Sequence, residues 1–286
     1  MLEMLLNPRR AEKRPIEMLL VGIFYSFMSL LLTNWIFSGA VLSKYSGIVI
    51  VTFTVMFSMP FIFYLLRHEE SKEIKDKTKY LGRFKVIKEH SRAILSLLWL
   101  FVGFVIAFSL WYVITGYAQN FQAQIETYCY INHPSNLELC IEEYGSPRGI
   151  TGAFSISEKF FTIFFNNIYV LMFTLIFSLI SGAGAIFILA WNASVIAVAI
   201  GIFTKMKISM WPLGILRYMI HGLPEIAAYF IGAIAGGIVS MAVVRQDFDK
   251  EKIKEIFGDF INLVLLAIFL LFLAAIVEVG IIYYLS

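Results

Sequence analysis

The side chains of this sequence that can do chemistry inside an apolar medium stand mostly in its second half. His221 and Glu225 lie four residues apart in a stretch from Pro212 to Gly236, broken by Gly222 and Pro224 at the mouth of an apolar run. An ionisable group there is costly unless something uses or neutralises it, so this stretch is the first place to look for function. The spacing of four suits one helix face, yet Pro224 argues against a continuous helix through both residues. Proline fits the first turn of a helix, so Gly222-Leu223 reads as a junction that leaves Glu225 near the positive end of a new helix dipole. Two roles stay open for the pair. One is structural, with hydrogen bonds to Asn166, Asn167 or free backbone amides; the other is binding of a proton or cation.

Asn166 and Asn167 sit inside Phe-Phe-Asn-Asn-Ile-Tyr-Val, and Asn192 sits inside Ala-Trp-Asn-Ala-Ser. An amide in lipid must find a partner, usually across to another helix. Two amides in succession point in different directions, so at least one faces the bundle, either as structural glue or as a contact for a solute or ion. Glu278 is the other deep acid, placed near the chain's end where it can reach water alone. No HExxH, GxSxG or Walker signature accompanies these residues, and one imidazole with one carboxyl is not a catalytic set, so no enzyme activity and no cofactor are expected. Cys129 and Cys140 share a polar loop. Nearby His133 cannot complete a shell, which argues against a metal, and the pair reads as a disulfide in an oxidising compartment or as two free thiols.

The elements that must hold these groups are membrane spans. Hydrophobic residues make up 59% of the 286-residue chain, charged residues 15%, and the mean hydropathy is +0.80. A soluble domain of this length cannot hide so much apolar surface, so the fold class is an all-α, polytopic transmembrane helical bundle with lipid as the surrounding partner. A net charge of +3, with no basic tract beside spaced aromatics, gives no reason to expect nucleic acid.

After a basic segment at 1–15, the apolar runs predict seven spans at about 16–37, 46–66, 93–117, 158–180, 183–203, 224–244 and 260–284, with a broken or re-entrant piece near 209–225. Residues 67–92 read as a solvated, charged helical hairpin and 119–157 as an outer loop. Of the 23 Lys and Arg, 17 fall in three segments: four near the N-terminus, nine in 67–92 and four in 245–259. The positive-inside rule then places the N-terminus in the cytoplasm and the C-terminus outside a cell membrane, with Lys205 and Lys207 as the poorest fit. The small residues around Gly182 and Gly184 predict a tight turn between antiparallel neighbours. Gly232 and Gly236, with Gly222 before them, predict close helix packing, within the chain in preference to a homo-oligomer.

In these residues the second half resembles the stage II sporulation protein M family of bacterial and archaeal membrane proteins. The resemblance rests on Asn166-Asn167 in an aromatic run, the Gly182/Gly184 turn, Asn192, and His221-Gly222-x-Pro224-Glu225 followed by small residues to Gly236, over about 158–244. Ala193 departs from it, since the family usually has Gly after that Asn. The resemblance implies that Asn166, Asn167, Asn192, His221 and Glu225 are the polar positions of interest. It also implies a scaffold, because the name-giving member is similar to a protein that holds peptidoglycan-degrading partners at a septal membrane; nothing in this chain argues for sporulation itself. Lys, Glu and Ile usage with only four Gln leans toward a thermophile. The reading is a non-catalytic scaffold or assembly partner, with protein partners at the outer loop or the charged hairpin. The alternative is passage of an ion or small solute past Glu225, His221 and the Asn cluster.

Overall fold

A computed structural model of the chain describes residues 11, 13–37, 45–75, 85–116, 118–132, 136–145, 156–181, 185–244 and 250–285. Nine α-helices run through the described residues: α1 Glu17–Phe37, α2 Ser46–Lys75, α3 Lys85–Thr115, α4 Gln122–Asn132, α5 Leu137–Gly145, α6 Ile156–Ser181, α7 Ala185–Thr204, α8 Trp211–Val244 and α9 Lys250–Leu285. Six of them contain stretches long and apolar enough to cross a bilayer, namely Glu17–Ile36, Ser91–Thr115, Phe160–Leu179, Ile186–Thr204, Ile208–Ser240 and Ile256–Ile281. A shorter apolar stretch, Ser46–Ile62, begins α2. The chain is thus a polytopic helical bundle with six candidate spans where seven are expected, the expected run at 46–66 being the shorter stretch. The basic N-terminal residues 1–10, the turn at Gly182 and Gly184, and 245–249 lie outside the described residues. The charged segment 67–92 is helical up to Lys75 and again from Lys85.

One expectation is overturned. Residues 211–244 form a single 34-residue helix, neither broken nor re-entrant, with Pro224 inside it and only a short 3₁₀ turn, Ile208–Met210, before it. Proline removes one donor from the ladder, but in a span the neighbouring helices and local adjustment take up that loss, and lipid offers the freed backbone no alternative partner. Glu225 therefore stands in mid-helix, and its carboxyl is answered by side chains, not by a helix terminus.

The packing uses small residues to bring backbones together. An added Cβ at Gly22 of α1 would strike the Leu100 carbonyl and come within 3.1 Å of Gly103 Cα on α3. One at Gly103 would strike the Leu19 carbonyl, so α1 and α3 cross in backbone contact. Without a hydrophobic force between helices in lipid, such close approach is what dispersion needs. Large apolar side chains such as Trp35 and Phe173 remain exposed, as a lipid-facing surface requires.

The loop expected at 119–157 contains structure. A 3₁₀ turn at Ala118–Phe121, α4 and α5 form a small hairpin, and Cys129 and Cys140 are disulfide-bonded within it. Phe121 is buried and packs edge-on against Phe108 and Tyr112 of α3. Gln124 of α4 donates to the Gly47 carbonyl at 3.0 Å, and Ser46 donates to the Gln119 carbonyl at 3.3 Å. The hairpin is fastened to the bundle end where α3 stops and α2, α6 and α8 begin. Trp211 at the start of α8 is tied to the same end by a 3.0 Å bond from its Nε1 to Ser109 Oγ.

Candidate functional site

Three helices bring the polar residues together: α6 supplies Asn167, α8 supplies His221, Glu225 and Tyr229, and α9 supplies Glu278. Asn167 is buried, and both ends of its amide are used. Its Nδ2 donates to Glu225 Oε1 at 2.8 Å, and its Oδ1 accepts from the Tyr229 hydroxyl at 2.8 Å. Glu225 and Tyr229 are one turn apart on α8, so a single side chain of α6 spans both. This is how the amide expected to face the bundle does so. Its neighbour Asn166 is half-buried and makes no side-chain hydrogen bond among the described residues.

The Glu278 carboxyl lies beside that of Glu225. His221, one turn before Glu225, is 7% exposed and its Nε2 stands 3.9 Å from Glu278 Oε1, inside ion-pair range but longer than a hydrogen bond. Its Nδ1 meets no acceptor at hydrogen-bonding geometry and faces the Arg217 carbonyl a turn back. The i, i+4 spacing of His221 and Glu225 thus places them on one face after all, and that face is turned to α9.

Toward the disulfide hairpin the polar line continues. The Tyr218 ring lies edge-on to His221, 5.9 Å between centroids, and Tyr128 of α4 neighbours it. Tyr128 in turn meets Tyr144 of α5 edge-on at 6.0 Å. Burial, helped by Tyr218 and Tyr144 and opposed by Arg217, holds the Tyr128 hydroxyl well above the usual phenol range, so it stays a neutral O–H. Arg217 places its guanidinium 4.8 Å over the Phe203 ring.

The other expected positions are elsewhere. Asn192 donates to the Ile188 carbonyl of its own helix at 2.7 Å and does not join the cluster. Gly232 and Gly236 do receive α6: a Cβ at Gly236 would come within 2.9 Å of the Leu175 carbonyl, and one at Gly232 would strike Leu171. Ser178 of α6 donates to the Ala233 carbonyl beside them. Gly222 has only ordinary contact with Ile196 Cδ1 at 3.5 Å, so no close backbone approach depends on it. Little in the sequence pointed to Glu278 as a partner of Glu225. Its signal was being a lone acid within the last apolar run, and that of Tyr229 was its place four residues after Glu225.

A bundle of long apolar helices with a polar node between three of them defines a multi-pass membrane protein. Residues 93–281 match the family model described as stage II sporulation protein M, and the chain belongs to that family. The match covers well over half of the chain and reaches into α3, further toward the N-terminus than the resemblance in the sequence. No curated protein and no solved structure matches the chain.

Proposed function

We propose that the protein is a non-catalytic scaffold of the cell membrane, N-terminus in the cytoplasm, in which the polar cluster locks three helices and the ends of the bundle meet partner proteins. The observation that carries this reading is Asn167. Its amide is consumed by Glu225 and Tyr229, so the most polar buried side chain of α6 is engaged in holding α6 to α8 and is not left for a solute. A satisfied polar network rigidifies and specifies one arrangement, which is what a docking platform needs. The disulfide-bonded hairpin, with Tyr130 and Leu139 exposed on it, is the partner-facing surface at one end. The charged segment around 67–92 is that surface at the other.

A second reading, passage of a proton or cation, is favoured by one observation: the Glu225–Glu278 pair beside His221. Proteoliposome flux separates the two. Across a panel of monovalent and divalent cations, wild type and Glu225→Gln are both expected at the leak of empty vesicles. Flux above leak that drops in Glu225→Gln would replace the scaffold with the conducting reading. Photo-crosslinkers at Tyr130 and at lipid-facing Phe173, introduced in the native membrane, test the surface: a defined protein adduct is expected from Tyr130 alone.

A further inference from the structure

We propose that the corner between α7 and α8 binds the headgroup of an anionic phospholipid through Lys205, Lys207 and Arg217. The inference goes beyond the scaffold reading and is independent of it, since neither partner capture nor ion flux enters its test.

Three observations converge on this corner. The first is the placing of charge. α7 ends at Thr204, the turn after it exposes Lys205 and Lys207, and α8 starts at Trp211. Arg217 lies six residues, about 9 Å, into α8. Side chains of a helix lean toward its N-terminus, and a long cationic one in an apolar layer reaches for the surface. Arg217 does so: its guanidinium stands 4.8 Å over the ring of Phe203, two residues before Lys205. Three cations thus gather at one corner of the hairpin end. Neither lysine side chain makes a hydrogen bond or an ion pair among the described residues. Each Lys or Arg near an anionic headgroup strengthens binding about fivefold, so three of them are enough to sort a charged headgroup from a zwitterionic one.

The second observation is the surface beside the cations. Ile208 in the turn, and Leu213, Leu216 and Ile220 along α8, are large apolar side chains left exposed. The last three follow one another at spacings of three and four, so they form one stripe that descends from the cations into the apolar layer. Cations above an apolar stripe match a phosphate carried on acyl chains, whereas an acidic peptide or a free phosphate would leave the stripe uncovered. The third observation is the backbone. Lys205 and Met206 take φ of 48° and 60°, the left-handed region that Gly or Asn usually fills at a helix end. Such strain persists only where the surrounding fold enforces it, and it gathers at ligand clamps. Here the fold does enforce it. Lys207 N donates to the Thr204 carbonyl at 3.0 Å, and an added Cβ at Gly214 would come within 3.0 Å of Thr204 Cγ2, so the start of α8 is pressed on the end of α7. The lysines stand on a backbone already fixed, and a bound headgroup does not have to order it.

Photo-crosslinking of the full-length protein in vesicles of equal phosphatidylglycerol and phosphatidylcholine, with matched acyl chains, tests the corner. A photo-crosslinker at Leu213 is compared with one at Ile36, which is exposed where α1 ends, and the lipid adducts are measured by mass spectrometry. At Leu213 the ratio of phosphatidylglycerol to phosphatidylcholine adduct is expected several-fold above that at Ile36. Lys205→Gln together with Lys207→Gln should return it to the Ile36 value, Arg217→Gln should lower it in part, and Lys254→Gln at the opposite end should leave it unchanged. Equal ratios at the two positions in wild type, or a raised ratio that persists without the two lysines, overturns the site; the wild-type comparison decides even if a variant fails to fold. Excess inorganic phosphate is expected to leave the raised ratio in place. Its collapse would mean that the cations take free phosphate and that the stripe has no part, which overturns the lipid. A protein adduct at Leu213 in native membranes overturns it equally, by giving the surface to a partner chain.

Discussion

Asn167 and Asn192 look alike in sequence, each an amide in an apolar run, and the structure gives them different work. Asn167 makes two bonds across a helix boundary, whereas Asn192 bonds the carbonyl four residues back in its own helix. Cross-helix bonds in lipid contribute about 0.6–2 kcal/mol each. Asn167→Leu is therefore expected to lower stability by about 1–4 kcal/mol, since it also leaves Glu225 and Tyr229 short of a partner. Asn192→Leu, which leaves the backbone ladder intact, is expected to change it by less than about 0.5 kcal/mol. Unfolding in detergent, titrated for both variants, checks the ordering; equal losses would remove Asn167 from the centre of the lock. At this scale the sequence was informative wherever a polar group is expensive by itself. His221, Glu225 and the need for one inward amide follow from the cost of polarity in lipid. The choice between Asn166 and Asn167, and the pairing of Glu225 with Glu278, depend on how distant helices rotate against each other, which no local pattern encodes.

The long apolar helices were readable from their runs almost end to end, because in a bilayer the backbone has no other way to satisfy itself, whereas the two short helices of the hairpin were not. The exception, the supposed break at Gly222-Leu223-Pro224, came from applying a rule of soluble helices: there a proline commonly marks a boundary, whereas between packed spans the helix continues through it. The Gly232/Gly236 contact was legible from its spacing. The crossing of Gly22 with Gly103 was not, since each is a single glycine in its own helix and only the fold sets them opposite one another. The α6–α8 contact makes a graded prediction. A Cβ at Gly236 lies 2.9 Å from both the Leu175 carbonyl and Ser178 Cβ, but one at Gly237 stays 3.8 Å from Ser178 Oγ. Gly236→Val should destabilise by about 1–3 kcal/mol through overpacking against backbone, and Gly237→Ala should be nearly neutral. Thermal unfolding of the two variants beside wild type measures the difference, and a harmless Gly236→Val would mean that α6 and α8 are not pressed together there.

The molecule as a whole has two unlike ends. One is closed by the disulfide hairpin, whose small ring should contribute about 2–3 kcal/mol by restraining the unfolded chain. Replacing Cys129 and Cys140 together by Ala should reduce stability by about that much, read from denaturation with and without reductant, and only wild type should respond to the reductant. The other end carries the long charged helix extensions, and it is here that orientation is decided. Seventeen of the 23 Lys and Arg fall, in the sequence, in the three segments expected on that side, whereas the described residues of the hairpin side include Lys205, Lys207 and Arg217. Lys205 and Lys207 weaken the count without reversing it: they are exposed in the turn after α7, where Lys205 and Met206 take φ of 48° and 60°, and that turn belongs to the hairpin end. A single cysteine at 207 and another at 254 should therefore face opposite sides of the membrane. In intact cells an impermeant thiol reagent is expected to label Lys207→Cys and to reach Lys254→Cys only after the membrane is opened. The reverse pattern would turn the whole bundle over and place the disulfide hairpin in a reducing compartment; labelling of both from one side would mean that α8 does not cross at all.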